Sequence, residues 1–109
     1  MMLLRILVIL AASWVQAANA QQPALVGDPK AAHKKVQMCE GCHGIAGYRT
    51  AYPDVYSVPK LGGQQPTYLV RAMQAYKSGE RTHPSMRGIA AGLSDQDMAD
   101  IAAYYGAAK

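Results

Sequence analysis

Cysteine occurs twice in this chain of 109 residues, at Cys39 and Cys42, and the second is followed at once by His43. No other feature limits the fold as tightly. Thiols at i and i+3 share one face of a helical turn, and an imidazole at i+4 from Cys39 lies on nearly the same face. C-x-x-C-H is the attachment pattern of a c-type haem. In that pattern two thioether bonds hold the porphyrin edge while the imidazole reaches the iron. The competing readings are weaker. A disulfide here would close a tiny loop and remove little unfolded-state entropy. A thioredoxin-type C-x-x-C expects a βαβ pattern, which is missing. A zinc site wants more thiols or a spaced His pair. The pattern therefore predicts one haem c held covalently by Cys39 and Cys42, with His43 as an axial ligand.

The N-terminus reads as an export signal. Arg5 and the amine make a positive start, Ile6 to Val15 is apolar, and Ala18-Asn19-Ala20 is an A-x-A cleavage pattern. The apolar run is well short of the roughly 20 residues that a spanning helix needs. The expected division is a cleaved signal peptide, 1–20, and one mature domain, 21–109, without stable membrane insertion after cleavage. A domain this small benefits from a staple, and a buried haem extends its core. The formal charge of +4 falls to +3 when Arg5 leaves with the signal. The remaining cations are scattered, and no tract reads as a nucleic-acid site.

The mature chain reads as helices separated by loops. Asp28-Pro29 offers an N-cap and an N1 proline, so a helix is expected from about Pro29 into the motif. The stretch 44–65 is punctuated by Gly44, Gly47, Pro53, Pro59, Gly62 and Gly63 and reads as irregular. So long a loop is unusual unless it serves a function, and wrapping a haem is one. A second helix is predicted over 66–78, stopped by Gly79, with Leu69, Met73 and Tyr76 at helical spacing. A loop is expected from Gly79 to Gly88. The last helix opens at Ser94 with Asp97 as a capping-box partner, and Met98, Ile101, Ala102 and Tyr105 form one apolar stripe. No run alternates with strand periodicity, so the expected class is all-α.

The second axial position decides between electron transfer and ligand chemistry. The candidates are Met38, Met73, Met86, Met98, His33 and His83. Met38 and His33 share the helix of the motif. Met73 and Met98 lie on apolar stripes, where methionine is commonly core filler. Met86 lies in the expected loop after Pro84, 43 residues beyond His43. His83 is three residues away and competes with it, because both side-chain types ligate haem iron. Spacing alone leaves the two open, with Met86 favoured.

The order of motifs resembles the class I, mitochondrial-type cytochromes c. It is most similar to small bacterial periplasmic monohaem members and to single halves of the dihaem cytochromes called c-four. The resemblance runs from about Gly27 onward. It rests on Cys39-x-x-Cys42-His43-Gly44, Pro59-Lys60-Leu61-Gly62-Gly63-Gln64, Tyr68-Leu69, Gly79-Glu80-Arg81, Met86, Leu93-Ser94-Asp95-x-Asp97 and Ala102-Ala103-Tyr104-Tyr105. The resemblance implies Met86 as the sixth ligand. It also implies that the Pro59 carbonyl accepts a hydrogen bond from the far nitrogen of His43. The implied fold crosses the N- and C-terminal helices, with Ala32, Val36, Ile101 and Tyr105 as candidates for the contact. The connection from Tyr48 to Val58 is longer than is usual in the family. For its Tyr52 and Tyr56, plain exposure and contact with a haem propionate both stay open.

These readings predict a periplasmic monohaem carrier that passes single electrons between redox proteins, not an enzyme, and either monomeric or a subunit. The alternatives are the cytochrome subunit of a periplasmic dehydrogenase complex, or an open-iron haem enzyme or gas binder. Donor, acceptor and potential are not legible in the sequence.

Overall fold

The computed structural model describes residues 24–52 and 54–108. The expected signal peptide, 1–20, lies outside the described residues. The described part contains a short 3₁₀ helix, Ala31–Lys34, and four α-helices: α1 Gln37–His43, α2 Pro66–Ser78, α3 Pro84–Ala91 and α4 Asp95–Ala107. Among the described residues the only strand-like pairing is an isolated antiparallel bridge between Arg49 and Ser57. The described residues are thus all-helical apart from that bridge, as the sequence predicts.

The first helix departs from expectation. It is not continuous from Pro29 but passes from 3₁₀ to α geometry before the motif. The Ala32 carbonyl accepts from both Lys35 N–H at 2.7 Å and Val36 N–H at 2.9 Å. That shared acceptor is the usual signature of a 3₁₀-to-α transition. Lys35 and Val36 keep right-handed backbone angles, so the direction holds while the bonding tightens. The start is also later than expected: the helix begins at Ala31 with Lys30 as N-cap and no side-chain cap, and Asp28 Oδ1 accepts Lys30 N–H at 2.9 Å in the turn before it.

A second departure concerns Met86. The expected loop from Gly79 to Gly88 ends early, and Met86 stands in the first turn of α3. The reason is local. Pro84 takes N1, where its missing N–H costs nothing. The residue before a proline is pushed to extended geometry, which is also what an N-cap needs. His83 has that geometry, with φ −77° and ψ 114°, and its side chain accepts Met86 N–H.

The other two boundaries follow the sequence. α2 ends at Gly79, whose φ of 86° is the left-handed geometry that glycine tolerates. α4 opens with both bonds of a capping box, Asp97 N–H to Ser94 Oγ at 3.1 Å and Ser94 N–H to Asp97 Oδ2 at 2.9 Å.

α4 packs against α2 and the 3₁₀ segment, and α2 packs against α3. The core gathers Ala32, Val36, Leu69, Met73, Leu93, Met98, Ile101, Ala102 and Tyr105. All four residues expected at the terminal crossing are in it. Fully burying a side chain such as Met98 contributes roughly 1.5–3 kcal/mol. Gly27 permits the close approach, because a Cβ there would run into the Ala99 carbonyl. Polar ties reinforce the crossing. Asp100 is only 3% exposed. It accepts Asp28 N–H at 2.8 Å and Lys35 Nζ at 2.7 Å. Lys35 also reaches Asp97 at 2.6 Å.

Candidate functional site

α1 ends in the motif. Cys39 is half-buried and Cys42 is exposed, and both thiols are free. Burial pushes the Cys39 thiol above its ordinary pKa, and the neighbouring Glu40 charge adds to this. His43 closes the last turn, with its Nδ1 2.7 Å from the Pro59 carbonyl oxygen. A carbonyl can only accept, so Nδ1 carries the proton and Nε2 keeps its lone pair free for a metal. Pro59 belongs to the irregular stretch, and its place beside His43 is a tertiary contact.

These groups line a cavity of about 680 Å³, within the roughly 300–1,000 Å³ typical of cofactor pockets. Leu61, Leu69, Met73, Ile89, Leu93 and Ile101 supply apolar lining, while Cys39, Cys42, His43 and Met86 bring sulfur and imidazole. Tyr105 also lines it, and its buried hydroxyl has no hydrogen-bond partner. Burial, chiefly, holds that phenol well above its ordinary pKa, with Cys39, Glu40 and Tyr104 adding to the effect. An apolar cavity with paired thiols, a free imidazole nitrogen and an orphaned hydroxyl fits a covalently bound porphyrin. Among the described residues, no three His, Cys, Asp or Glu side chains come together to hold a metal ion directly.

The six candidates for the second axial position separate. Met38, Met73, Met86 and His83 line the cavity, while Met98 and His33 do not. Met98 is fully buried in the core. His33 stacks edge-on against Tyr104 at 5.4 Å. His83 is engaged locally, because its Nδ1 accepts Met86 N–H at 3.4 Å and its ring meets Tyr56 edge-on at 4.7 Å. An accepting Nδ1 on a neutral ring leaves the proton on Nε2.

The long connection folds on itself. Thr50 N–H donates to Tyr56 O at 2.9 Å and Val58 N–H to Tyr48 O at 3.0 Å. Thr50 Oγ1 accepts Tyr56 N–H at 3.0 Å and donates to Asp54 O at 3.0 Å. Tyr56 lines the cavity. Tyr52 is 90% exposed and takes no part in the lining. Sequence reasoning missed Tyr105 as a polar group of the site, because its position on an apolar stripe reads as core. It also missed the Lys35 ties, which join residues far apart in the chain.

Residues 29–106 match the cytochrome c family model. The chain is 43% identical over 83 residues to cytochrome c4 of Pseudomonas aeruginosa, covering 76% of this chain and 39% of that one. It is 44% identical over 82 residues to cytochrome c-554(548) of Halomonas halodenitrificans, covering 72% of this chain and 94% of that one. The crystal structure of reduced recombinant cytochrome c4 from Pseudomonas stutzeri superposes with a TM-score of 0.61 at 38% identity. The match covers 77% of this chain and 47% of that chain. The chain thus spans less than half the length of the cytochromes c4 that it matches.

Proposed function

The chain belongs to the cytochrome c family and is an electron-transfer cytochrome with covalently bound haem c; from that premise we propose that it is a periplasmic monohaem carrier with His/Met-ligated iron. Cys39 and Cys42 anchor the ring. His43 would hold the iron through Nε2 and Met86 through its thioether. One-electron chemistry between ferrous and ferric states is what the bound group supplies. The residues around it hold both ligands in place in either state and keep water from the ring. Pro59 orients the imidazole by accepting its Nδ1 proton, which also raises its basicity toward the metal.

One observation carries this reading. His43 and Met86 line the same cavity, while the neighbouring His83 is committed to capping the helix that bears Met86. A thioether offers no second atom to hold, so Met86 must be positioned through its backbone. The first turn of α3 does this. His/Met ligation favours a higher potential than ligation by two histidines. Export by a cleaved signal at 1–20 would deliver the mature chain, 21–109, to the periplasm. No helix of the described residues is long and apolar enough to cross a membrane. Redox encounters of such a carrier are small and transient.

The test is optical. The ferric protein should show the weak sulfur-to-iron charge-transfer band, Met86→Ala should abolish it, and His83→Ala should keep it. Loss in His83→Ala with retention in Met86→Ala would sink the assignment. The native ferrous protein should also refuse carbon monoxide near neutral pH, and rapid stoichiometric binding would favour an open iron.

A further inference from the structure

Arg81 stands where no function has been assigned to it. Gly79 turns the chain at the end of α2, and Arg81 N–H donates back to the Ala75 carbonyl at 3.0 Å. The chain therefore returns over the helix it has just left. Tyr68 and Tyr76 are about two turns apart on α2 and share a face. Ala72, between them, is too small to block the space. The guanidinium settles there, 5.2 Å from the Tyr76 ring centre and 5.9 Å from that of Tyr68. Its Nη2 also donates to the Tyr68 hydroxyl at 3.3 Å.

This arrangement is a receptor without its anion. An arginine stacked on aromatic rings loses mobility while keeping its fork of donors. Tyr68 Oη accepts from Arg81, so its own proton remains available for donation beside the guanidinium. Among the described residues, no carboxylate lies within ion-pair distance of Arg81; both ion pairs there belong to Lys35. Glu80 is adjacent in sequence and still does not pair with it. Arg81, Tyr68 and Tyr76 all line the cavity that holds the motif cysteines. The only anionic groups that haem itself brings into such a cavity are its propionate carboxylates.

We propose that Arg81, braced by Tyr68 and Tyr76, is the binding site for a haem propionate, with the guanidinium and the Tyr68 hydroxyl as its two donors. The proposal rests on the haem reading above. It relocates the carboxylate contact from the long connection, where Tyr52 and Tyr56 were the open candidates, to the end of α2. A charge-assisted bond to the propionate compensates its negative charge. Less uncompensated charge near the iron disfavours the ferric state, so Arg81 raises the potential.

The experiment compares wild type with Arg81→Gln, Arg81→Lys and Tyr68→Phe, each as the haem-loaded protein. Resonance Raman reads the propionate bending mode, and potentiometry reads the midpoint potential. Arg81→Gln should shift the propionate mode and lower the potential. Arg81→Lys should restore part of the potential but not the mode, because it keeps charge without the planar fork. Tyr68→Phe should move both in the same direction by less. An unchanged mode and potential in Arg81→Gln would overturn the proposal. So would a shift of the mode in Tyr68→Phe alone. The charge-transfer band of the ferric protein is recorded in parallel: its persistence shows that axial ligation is intact. Failure of the propionate assignment is thus separated from failure of the His/Met reading.

Discussion

The helical frame and the irregular arc hold their shapes by different means. The frame, made of the 3₁₀ segment, α2 and α4, is packed on its own side chains: Met98 and Ala32 are wholly buried. The described residues of the arc, 44–52 and 54–65, bury almost nothing, and Tyr48, Tyr52, Val55 and Tyr56 are all exposed. It is held by its own turns, by the His43 contact to Pro59, and by Gly63 N–H donating to Tyr105 O at 3.0 Å. The frame is a core with one wall missing, and the arc closes around the group that fills the gap. A small domain of this kind needs its cofactor to complete the core, and the arc depends on it more directly than the frame does.

The largest effect should come from preventing attachment. Cys39→Ala with Cys42→Ala leaves the cavity without its filler. At about 24 cal/mol per Å³, even half of the 680 Å³ corresponds to roughly 8 kcal/mol, comparable with a domain's whole stability of about 5–15 kcal/mol. The unattached chain should show no cooperative thermal transition by circular dichroism. A cooperative melt with protected amides in the arc would break the contrast between the two regions.

Within the haem-loaded protein, Met98→Ala should cost about 2–5 kcal/mol, measured by denaturant unfolding. Ser94→Ala removes one half of the capping box and should cost about 1 kcal/mol. Thr50→Val strikes the arc, where the hydroxyl's bonds to Asp54 O, Tyr56 O and Tyr56 N–H are lost at an accessible site. Its cost should fall at or below the roughly 0.5–1.5 kcal/mol net value of a hydrogen bond. A larger loss in Thr50→Val than in Met98→Ala would reverse the assignment of frame and arc.

The smallest effect is electrostatic. Lys35, first, and then the Ser94 backbone and hydroxyl lower the Asp97 pKa from 3.8 to about 2. A lowered carboxyl pKa stabilises the fold above the unfolded value and loses that stability as pH falls. The contribution is complete above about 4 and disappears toward about 2. Asp100 is lowered as well, by the Asp28 backbone first and then by Lys35 and Gln96. Asp97→Asn should therefore flatten the acid limb of a stability–pH curve and leave the neutral potential unchanged.

Much of the frame was legible in local signals. Pro66 at N1, Gly79 at the stop and the Ser94–Asp97 capping box sit within a few residues of the boundaries they set, so no distant contact was needed to place α2 and α4. His83-Pro84 is equally local, yet the sequence there reads as a loop, although extended geometry before a proline is also how a helix N-cap begins. The break before α1 had no sequence marker, since neither proline nor glycine interrupts residues 30–38. The polar ties at its edges join residues 72 and 65 positions apart.

By itself, the sequence determined the covalent anchor, because Cys39, Cys42 and His43 share one turn of helix and their spacing alone sets the face they present. It determined the helix ends for the same reason of short range. The contact of His43 with the Pro59 carbonyl, which the family resemblance implied, forms only through tertiary packing. Only the tertiary structure brought Lys35 between Asp97 and Asp100 and left Arg81 stacked beside the cavity without a carboxylate. Those outcomes depend on how α4 packs on the 3₁₀ segment and how α2 ends, and distant segments meet there by packing rather than by local spacing.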